Sequence, residues 1–190
     1  MSDSKIVHFL SGRDLLPPWP EYLQEVGFAM GCFWGAERLF WELNGVYVTM
    51  VGYQGGEMID PDYTSLCQGH TGHAETVQVV FDPAKITLEE LLAVFWESHD
   101  PTQGDRQGND VGSQYRSAIF VETKDQAKRA QNSLQQAQVL LKAKGFGPIT
   151  TKIITGAKFW LAEEYHQQYL AKNPDGYCGI SGTGISCGVK

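Results

Sequence analysis

Apolar and polar positions along this chain recur with two periods, and the switches between them mark its elements. A short apolar run from Val26 to Gly31 predicts a strand, and Ala36, Leu39, Phe40 and Leu43 then recur at helical spacing. Val46 to Tyr53, rich in β-branched and aromatic residues, predicts a second strand. Val77, Val79 and Phe81 alternate with polar neighbours until Asp82-Pro83 ends the run. Thr87 with Glu90 forms a capping-box signature ahead of one apolar helix face, Leu88, Leu91, Leu92, Phe95 and Trp96. Ser117 to Val121 predicts a fourth strand, and Ala127, Ala130, Leu134, Ala137 and Leu141 a long amphipathic helix. The order βαββαβ, then α, predicts an α/β (α+β) fold with a ferredoxin-like split βαβ core and appended helices. A further strand is expected at Ile149 to Ile154, and a last helix from Ala162 to Ala171, stopped by Asn173-Pro174.

The flanks lack this periodicity. Residues 1–25, with Pro17, Pro18 and Pro20, predict an extended arm lying against a domain that spans 26–172. Residues 173–190 predict a long coiled tail, in which Gly176, Gly179, Gly182, Gly184 and Gly188 would let Cys178 and Cys187 travel. Three stretches receive no element: Gln54 to Ala74, His99 to Tyr115 and Asp175 onward, and long irregular connections of this kind tend to carry function.

With 190 residues the chain fits one domain, and 42% hydrophobic residues exclude wholesale disorder. A net charge of −7 without a basic cluster argues against nucleic acid as a partner. The longest strongly apolar stretch, Val46 to Tyr53, falls far short of a membrane span. Ile6 to Leu10 is too short for the apolar core of a secretory signal, so the cytosol is the default address. In a reducing compartment the four cysteines, Cys32, Cys67, Cys178 and Cys187, matter for their chemistry rather than as staples.

Cys32 stands where the first strand meets the first helix, in Gly31-Cys32-Phe33-Trp34-Gly35-Ala36-Glu37. Unpaired N–H groups and the positive end of the helix dipole there favour thiolate and would lower the thiol's pKa, so a nucleophile is the reading preferred over a buried structural cysteine. Phe33 and Trp34, bracketed by glycines, fit an exposed apolar pocket at least as well as core filler. Glu75 ends Thr71-Gly72-His73-Ala74-Glu75; held among aromatic rings it would become a general acid, and on spacing alone a solvated strand-edge glutamate is an equal reading. His73 reads as a loop hydrogen-bonding residue. Cys67, His70 and His73, three positions apart, with His99 as a fourth ligand, offer a rival zinc-binding interaction module, although the spacing matches no standard zinc site. Asp110 and Tyr115, in Gly108-Asn109-Asp110-Val111-Gly112-Ser113-Gln114-Tyr115-Arg116-Ser117, read as turn residues.

As a set, Gly31 to Glu37, Gly72-His73-Ala74-Glu75, His99-Asp100-Pro101 and the Gly108 to Ser117 loop resemble the A-type peptide methionine sulfoxide reductases, from about Phe28 to the C-terminus. The resemblance implies an enzyme that reduces the S epimer of methionine sulfoxide, free or in proteins, with thioredoxin as electron donor and no metal or other cofactor. It implies that Cys32 is the nucleophile, Phe33 and Trp34 the pocket for the substrate methyl group, and Glu75 the proton donor. Tyr63 and Tyr115 would hydrogen-bond the sulfoxide oxygen, and Asp110 would shape the site and its hydration. Cys178, in Gly176-Tyr177-Cys178-Gly179, would resolve the oxidised Cys32, and Cys187 would relay the disulfide outward; no role falls to Cys67. The implied protein is a cytoplasmic monomer whose residues 26–172 form the catalytic domain. A thiol peroxidase would use similar cysteines, but a peroxide needs no methyl pocket.

Overall fold

A run of Val, Phe and Ala with little room for water makes β1 (Gln24–Ala29), and its Phe28 is the pivot of the core. The Phe28 ring stacks on Phe40 of α1 (Phe33–Trp41), centroids 4.8 Å apart, and lies 5.4 Å from Phe95 further along the chain. Full burial of one such ring is worth about 1.5–3 kcal/mol in transfer alone. The structure, a computed structural model, describes residues 6–188.

β2 (Val46–Gln54) returns alongside the sheet, and α2 (Tyr63–Cys67) follows, capped by the Asp62 carboxylate accepting from Ser65 N at 2.7 Å. β3 (Ala74–Phe81) is buried over its whole length. α3 (Leu88–Ser98) starts at the expected capping box of Thr87 and Glu90, and buries Leu88, Leu91, Leu92, Phe95 and Trp96. A small hairpin, β4 (Arg106–Gln107) and β5 (Asp110–Val111), precedes β6 (Ala118–Val121). α4 (Lys124–Ala143) is set by a second capping box, Thr123 with Gln126. β7 (Lys152–Thr155), β8 (Phe159–Leu161) and α5 (Tyr169–Lys172) complete the elements.

The six-stranded sheet runs β7-β6-β1-β3-β2-β8. Its four central strands, numbered by their order in the split βαβ unit, stand 4-1-3-2, as that architecture requires. β6 and β7 pair in parallel and the other neighbours antiparallel. α1, α3 and α4 supply residues to the main core, while Leu15 of the N-terminal segment, wholly buried, closes a second cluster with Val48, Met50 and Val80. Among the described residues no helix is long and apolar enough to cross a membrane.

Two expectations near the C-terminus are corrected. The strand expected at Ile149 to Ile154 forms at Lys152–Thr155, and the helix expected from Ala162 to Ala171 is reduced to a 3-10 turn, Glu164–His166, and the four-residue α5. The interruption has a cause: Gln168 takes φ 48, and its backbone N–H donates to the buried Glu37 carboxylate at 2.9 Å. Phe159 to Leu161, unassigned from the sequence, pairs with the edge of β2. After α5, residues 173–188 contain no helix or strand.

Candidate active site

Antiparallel pairing of β1 with β3, Phe28 opposite Val77, brings the start of β3 to the end of β1. Glu75 thereby reaches the first turn of α1, where its carboxylate accepts from the Phe33 backbone N–H at 3.0 Å. Gly31 makes the turn between strand and helix at φ +97, a conformation that L side chains rarely adopt, and a Cβ there would lie 2.8 Å from Gln107 Cγ. Gln107 in turn ties the β4–β5 hairpin to Asp100 through both amide atoms, at 2.9 and 3.1 Å. The chain turn that presents Cys32 and the hairpin that carries Asp110 are therefore packed as one unit.

Cys32 is the N-cap of α1, and the Trp34 and Gly35 N–H groups face its sulfur. The expected lowering of its pKa does not follow. Burial first, and the charge on Glu75 second, push the thiol well above the usual range, and the two N–H groups only partly oppose them. Glu75 itself, 2% exposed, is pushed up to about 8 by burial, against the pull of the Phe33 N–H and with a further push from Asp110. It is therefore largely protonated at neutral pH, which removes the charge that acts most strongly against a Cys32 thiolate.

Tyr63 and Tyr115 face the same centre: burial first and Glu75 next hold both phenols above their ordinary range, so both remain O–H donors. Asp110 acts on Cys32, Glu75 and Tyr115, and accepts a hydrogen bond from Tyr177 O–H at 3.1 Å. The Phe33 ring lies 5.1 Å from His166 and 6.1 Å from Tyr53. Trp34 stacks on Tyr169 at 3.8 Å, and its Nε1–H donates to His166 Nδ1 at 3.0 Å. Phe33, Trp34 and Tyr63 thus pack around the His166 ring as an aromatic wall in which Phe33 and His166 are almost wholly buried, so that Phe33 lies in the core rather than in an exposed pocket.

Glu163 braces that wall, accepting from the Tyr63 N–H at 2.9 Å and from Tyr53 O–H at 2.7 Å; burial would raise its pKa, but these hydrogen bonds hold it below the usual carboxylate range. Glu163, His166 and Tyr169 are site residues that the sequence alone does not single out. Tyr53 was legible as a strand residue; for Glu163 there was no local signal, because its partners lie 100 and 110 positions away.

Cys178, exposed, is brought to α1: a Cβ on Gly35 would lie 2.9 Å from its sulfur, and Arg38 Nη2 donates to that sulfur at 3.3 Å. Cys187 is elsewhere, half-buried beside a cavity of about 210 Å³ between α3 and α4 lined by Glu89, Ala93, Arg129 and Ser133 among others. Burial and then Glu97 push its thiol up to about 11.

The rival metal grouping does not assemble. His99 uses its ring nitrogens on Phe95 O and Ser117 Oγ, and His73 uses its own on the Gly56 N–H and Met58 O, the loop-bonding role expected of it. Among the described residues no group of three or more His, Cys, Asp or Glu side chains is placed to hold a metal ion.

Comparison with known proteins identifies the family. The family described as "Peptide methionine sulfoxide reductase" matches residues 24–186. A peptide methionine sulfoxide reductase MsrA of Saccharophagus degradans is 57% identical over 178 residues, covering 94% of this chain and 83% of that protein. The solved methionine sulfoxide reductase A of Corynebacterium diphtheriae superposes with a TM-score of 0.85 at 43% identity, covering 96% of this chain and 89% of the other. Mxr1 of Saccharomyces cerevisiae in complex with Trx2 gives a TM-score of 0.56 at 26% identity, covering 82% and 90%. With Glu75 hydrogen-bonded to the first turn of the helix that Cys32 caps and a family match over most of its length, the chain belongs to the A-type peptide methionine sulfoxide reductases.

Proposed function

We propose that this chain reduces the S epimer of methionine sulfoxide, free or within proteins, through a thiol relay that ends at thioredoxin. The observation that carries the reading is the Glu75 carboxyl, protonated near neutral pH and tied to the first turn of the helix whose N-cap is Cys32. Sulfoxide sulfur becomes electrophilic when its oxygen is protonated or hydrogen-bonded, so a thiolate needs an acid opposite it. Glu75 delivers the proton, Tyr63 and Tyr115 hydrogen-bond the oxygen, and Asp110 orders the surrounding polar edge. Phe33 and Trp34 receive the methyl group, which selects a sulfoxide over a peroxide.

The Cys32 thiolate bonds to the sulfoxide sulfur as Glu75 protonates the oxygen; the oxygen then passes to the Cys32 sulfur while its bond to the substrate sulfur and the new sulfur–sulfur bond both break, so that methionine leaves and Cys32 becomes the sulfenic acid. Cys178 condenses with it, forming a disulfide and releasing water. Cys187 then exchanges into that disulfide and presents it to thioredoxin. The solved complex of Mxr1 with Trx2, a protein of the same fold, supports a thioredoxin-type partner. We assign catalysis to residues 26–172, bracing to residues 1–25 and thiol recycling to residues 173–190, in a cytoplasmic monomer. The burial of Leu15 and the contacts of Cys178 with α1 support this division.

The test is mass spectrometry of the two sulfoxide epimers after incubation with the protein and a dithiol. The S epimer is expected to disappear and the R epimer to persist, with Cys32→Ser inert even in the first turnover. Stoichiometric methionine release by Cys32→Ser overturns the mechanism.

A further inference from the structure

Gly35 has a sulfur on each side. Its N–H faces Cys32, while the space where a side chain would stand is filled by Cys178 and Ile180, at 2.9 Å from Sγ and 2.7 Å from Cγ1 of those residues. One turn along the same helix, Arg38 sends a guanidinium N–H to the Cys178 sulfur at 3.3 Å. Gly35 is itself buried, Arg38 is half-buried, and Cys178 is exposed. The Tyr177–Asp110 hydrogen bond and the close packing of Gly176 on Tyr169 and Leu170 also hold this stretch, in which residues 173–179 contain no helix or strand.

We infer that the Gly35–Arg38 face of α1 is the seat from which Cys178 attacks oxidised Cys32, and that Arg38 is its positioning residue. The inference rests on the proposed role of Cys178 and deepens it. In the step concerned, the Cys178 sulfur forms a bond to the Cys32 sulfur, the Cys32 sulfur–oxygen bond breaks, and the departing hydroxide takes the thiol proton as water. No external oxidant or reductant enters. Without the seat, a chain segment rich in glycine must find the sulfenic acid by diffusion through many conformations, whereas a held sulfur meets it in few. The guanidinium, a cationic donor, also faces the negative charge that the attacking sulfur carries. A hydrogen bond from a charged donor is worth enough to change this step by about 10–100-fold.

Reduced protein is mixed with excess methionine sulfoxide without a reductant, and two events are timed: methionine release, and loss of the sulfenic acid that dimedone traps. In Arg38→Ala, sulfenic acid is expected to persist about 10–100 times longer, while the burst of methionine release and the thermal midpoint stay near wild type. Arg38→Lys, which keeps a cationic donor, is expected to recover part of the closure rate; a purely structural role would not separate the two events. Closure at the wild-type rate in Arg38→Ala, or equal slowing of burst and closure, overturns the inference. Peptide mapping of the wild-type product separates the two levels of the argument. A Cys32–Cys178 disulfide keeps the resolving role and leaves only the seat at issue, whereas any other pairing removes both.

Discussion

The Phe33 backbone N–H donates to the Glu75 carboxylate at 3.0 Å, joining the residue after the proposed nucleophile, Cys32, to the proposed proton donor. A single N–H is a weak counterweight to burial, so the carboxyl stays raised to about 8 and still points where α1 begins. The bond fixes direction without fixing charge, which suits a group that must lose a proton and regain it.

Glu75→Gln keeps an oxygen for the Phe33 N–H and removes the proton. Single-turnover methionine release is expected to fall by about 10²–10⁴-fold, the usual cost of a lost general acid. Stability should move the other way. A buried carboxyl whose pKa rises from 4.5 to about 8 on folding contributes stability below pH 4.5 that is lost as pH rises through 8. The variant's thermal midpoint should therefore gain on wild type between pH 4.5 and 8 and hold that gain above. An unchanged difference across this range would show that Glu75 ionises freely in the folded protein.

Histidines set the opposite slope. His8, His99 and His166 are held at about 4, mainly by burial, so each is neutral when folded and takes up a proton on unfolding below pH 6.5. Their stability is present above 6.5 and lost as pH falls towards 4. His8 accepts from the Leu10 and Ser11 N–H groups through Nδ1, which an Asn side chain can imitate in a local turn. His8→Asn is expected to flatten the decline of stability between pH 6.5 and 4 by up to about 1.4 kcal/mol per pH unit, one proton's worth. Urea titrations at three pH values in that window check the slope.

The long helices were legible because their apolar faces repeat locally and their starts carry capping chemistry: Thr87 with Glu90 was read, and Thr123 with Gln126 was there to be read. The order of the central strands followed from the same pattern. The segment around His166 was not legible, since Gln168 leaves the helical region to meet Glu37, 131 positions earlier. The motifs located Cys32 and Glu75, but the titration of Cys32 was misjudged from the helix end alone. What decides it is burial by the whole fold and a carboxyl brought over by strand pairing.

Beyond its proposed role as a surface for the methyl group, Trp34 holds His166. Its Nε1–H is the partner of the buried His166 Nδ1, and His166 Nε2 has no partner among the described residues. Trp34→Phe keeps an aromatic face and leaves both ring nitrogens of His166 without partners among the described residues. The unpaired buried group costs about 1–3 kcal/mol. The expected result is a lower thermal midpoint and a raised KM for methionine sulfoxide. A variant with wild-type KM would show that His166 does not shape the pocket through Trp34.

Cys187 rests in a place poorly suited to exchange. Its thiol is pushed up to about 11 by burial and then by Glu97, whose carboxylate also accepts the Cys187 backbone N–H at 2.5 Å. The Lys144 ammonium binds the Gly184 carbonyl, and Ile185 is buried in the main core, so the segment ahead of Cys187 is held at two further points. A thiol in that state presents little thiolate, and the relay therefore requires the segment to leave the α3–α4 groove. Glu97→Gln weakens the hold on the Cys187 N–H and removes the nearby charge. At pH 8, alkylation of Cys187 should be several-fold faster in Glu97→Gln than in wild type, while alkylation of the exposed Cys67 stays unchanged as an internal reference. If thioredoxin reduction waits on this release, thioredoxin-driven turnover should rise in the same variant, and turnover with a small dithiol should not. Faster alkylation without faster thioredoxin turnover would place the slow step after the tail has already left its groove.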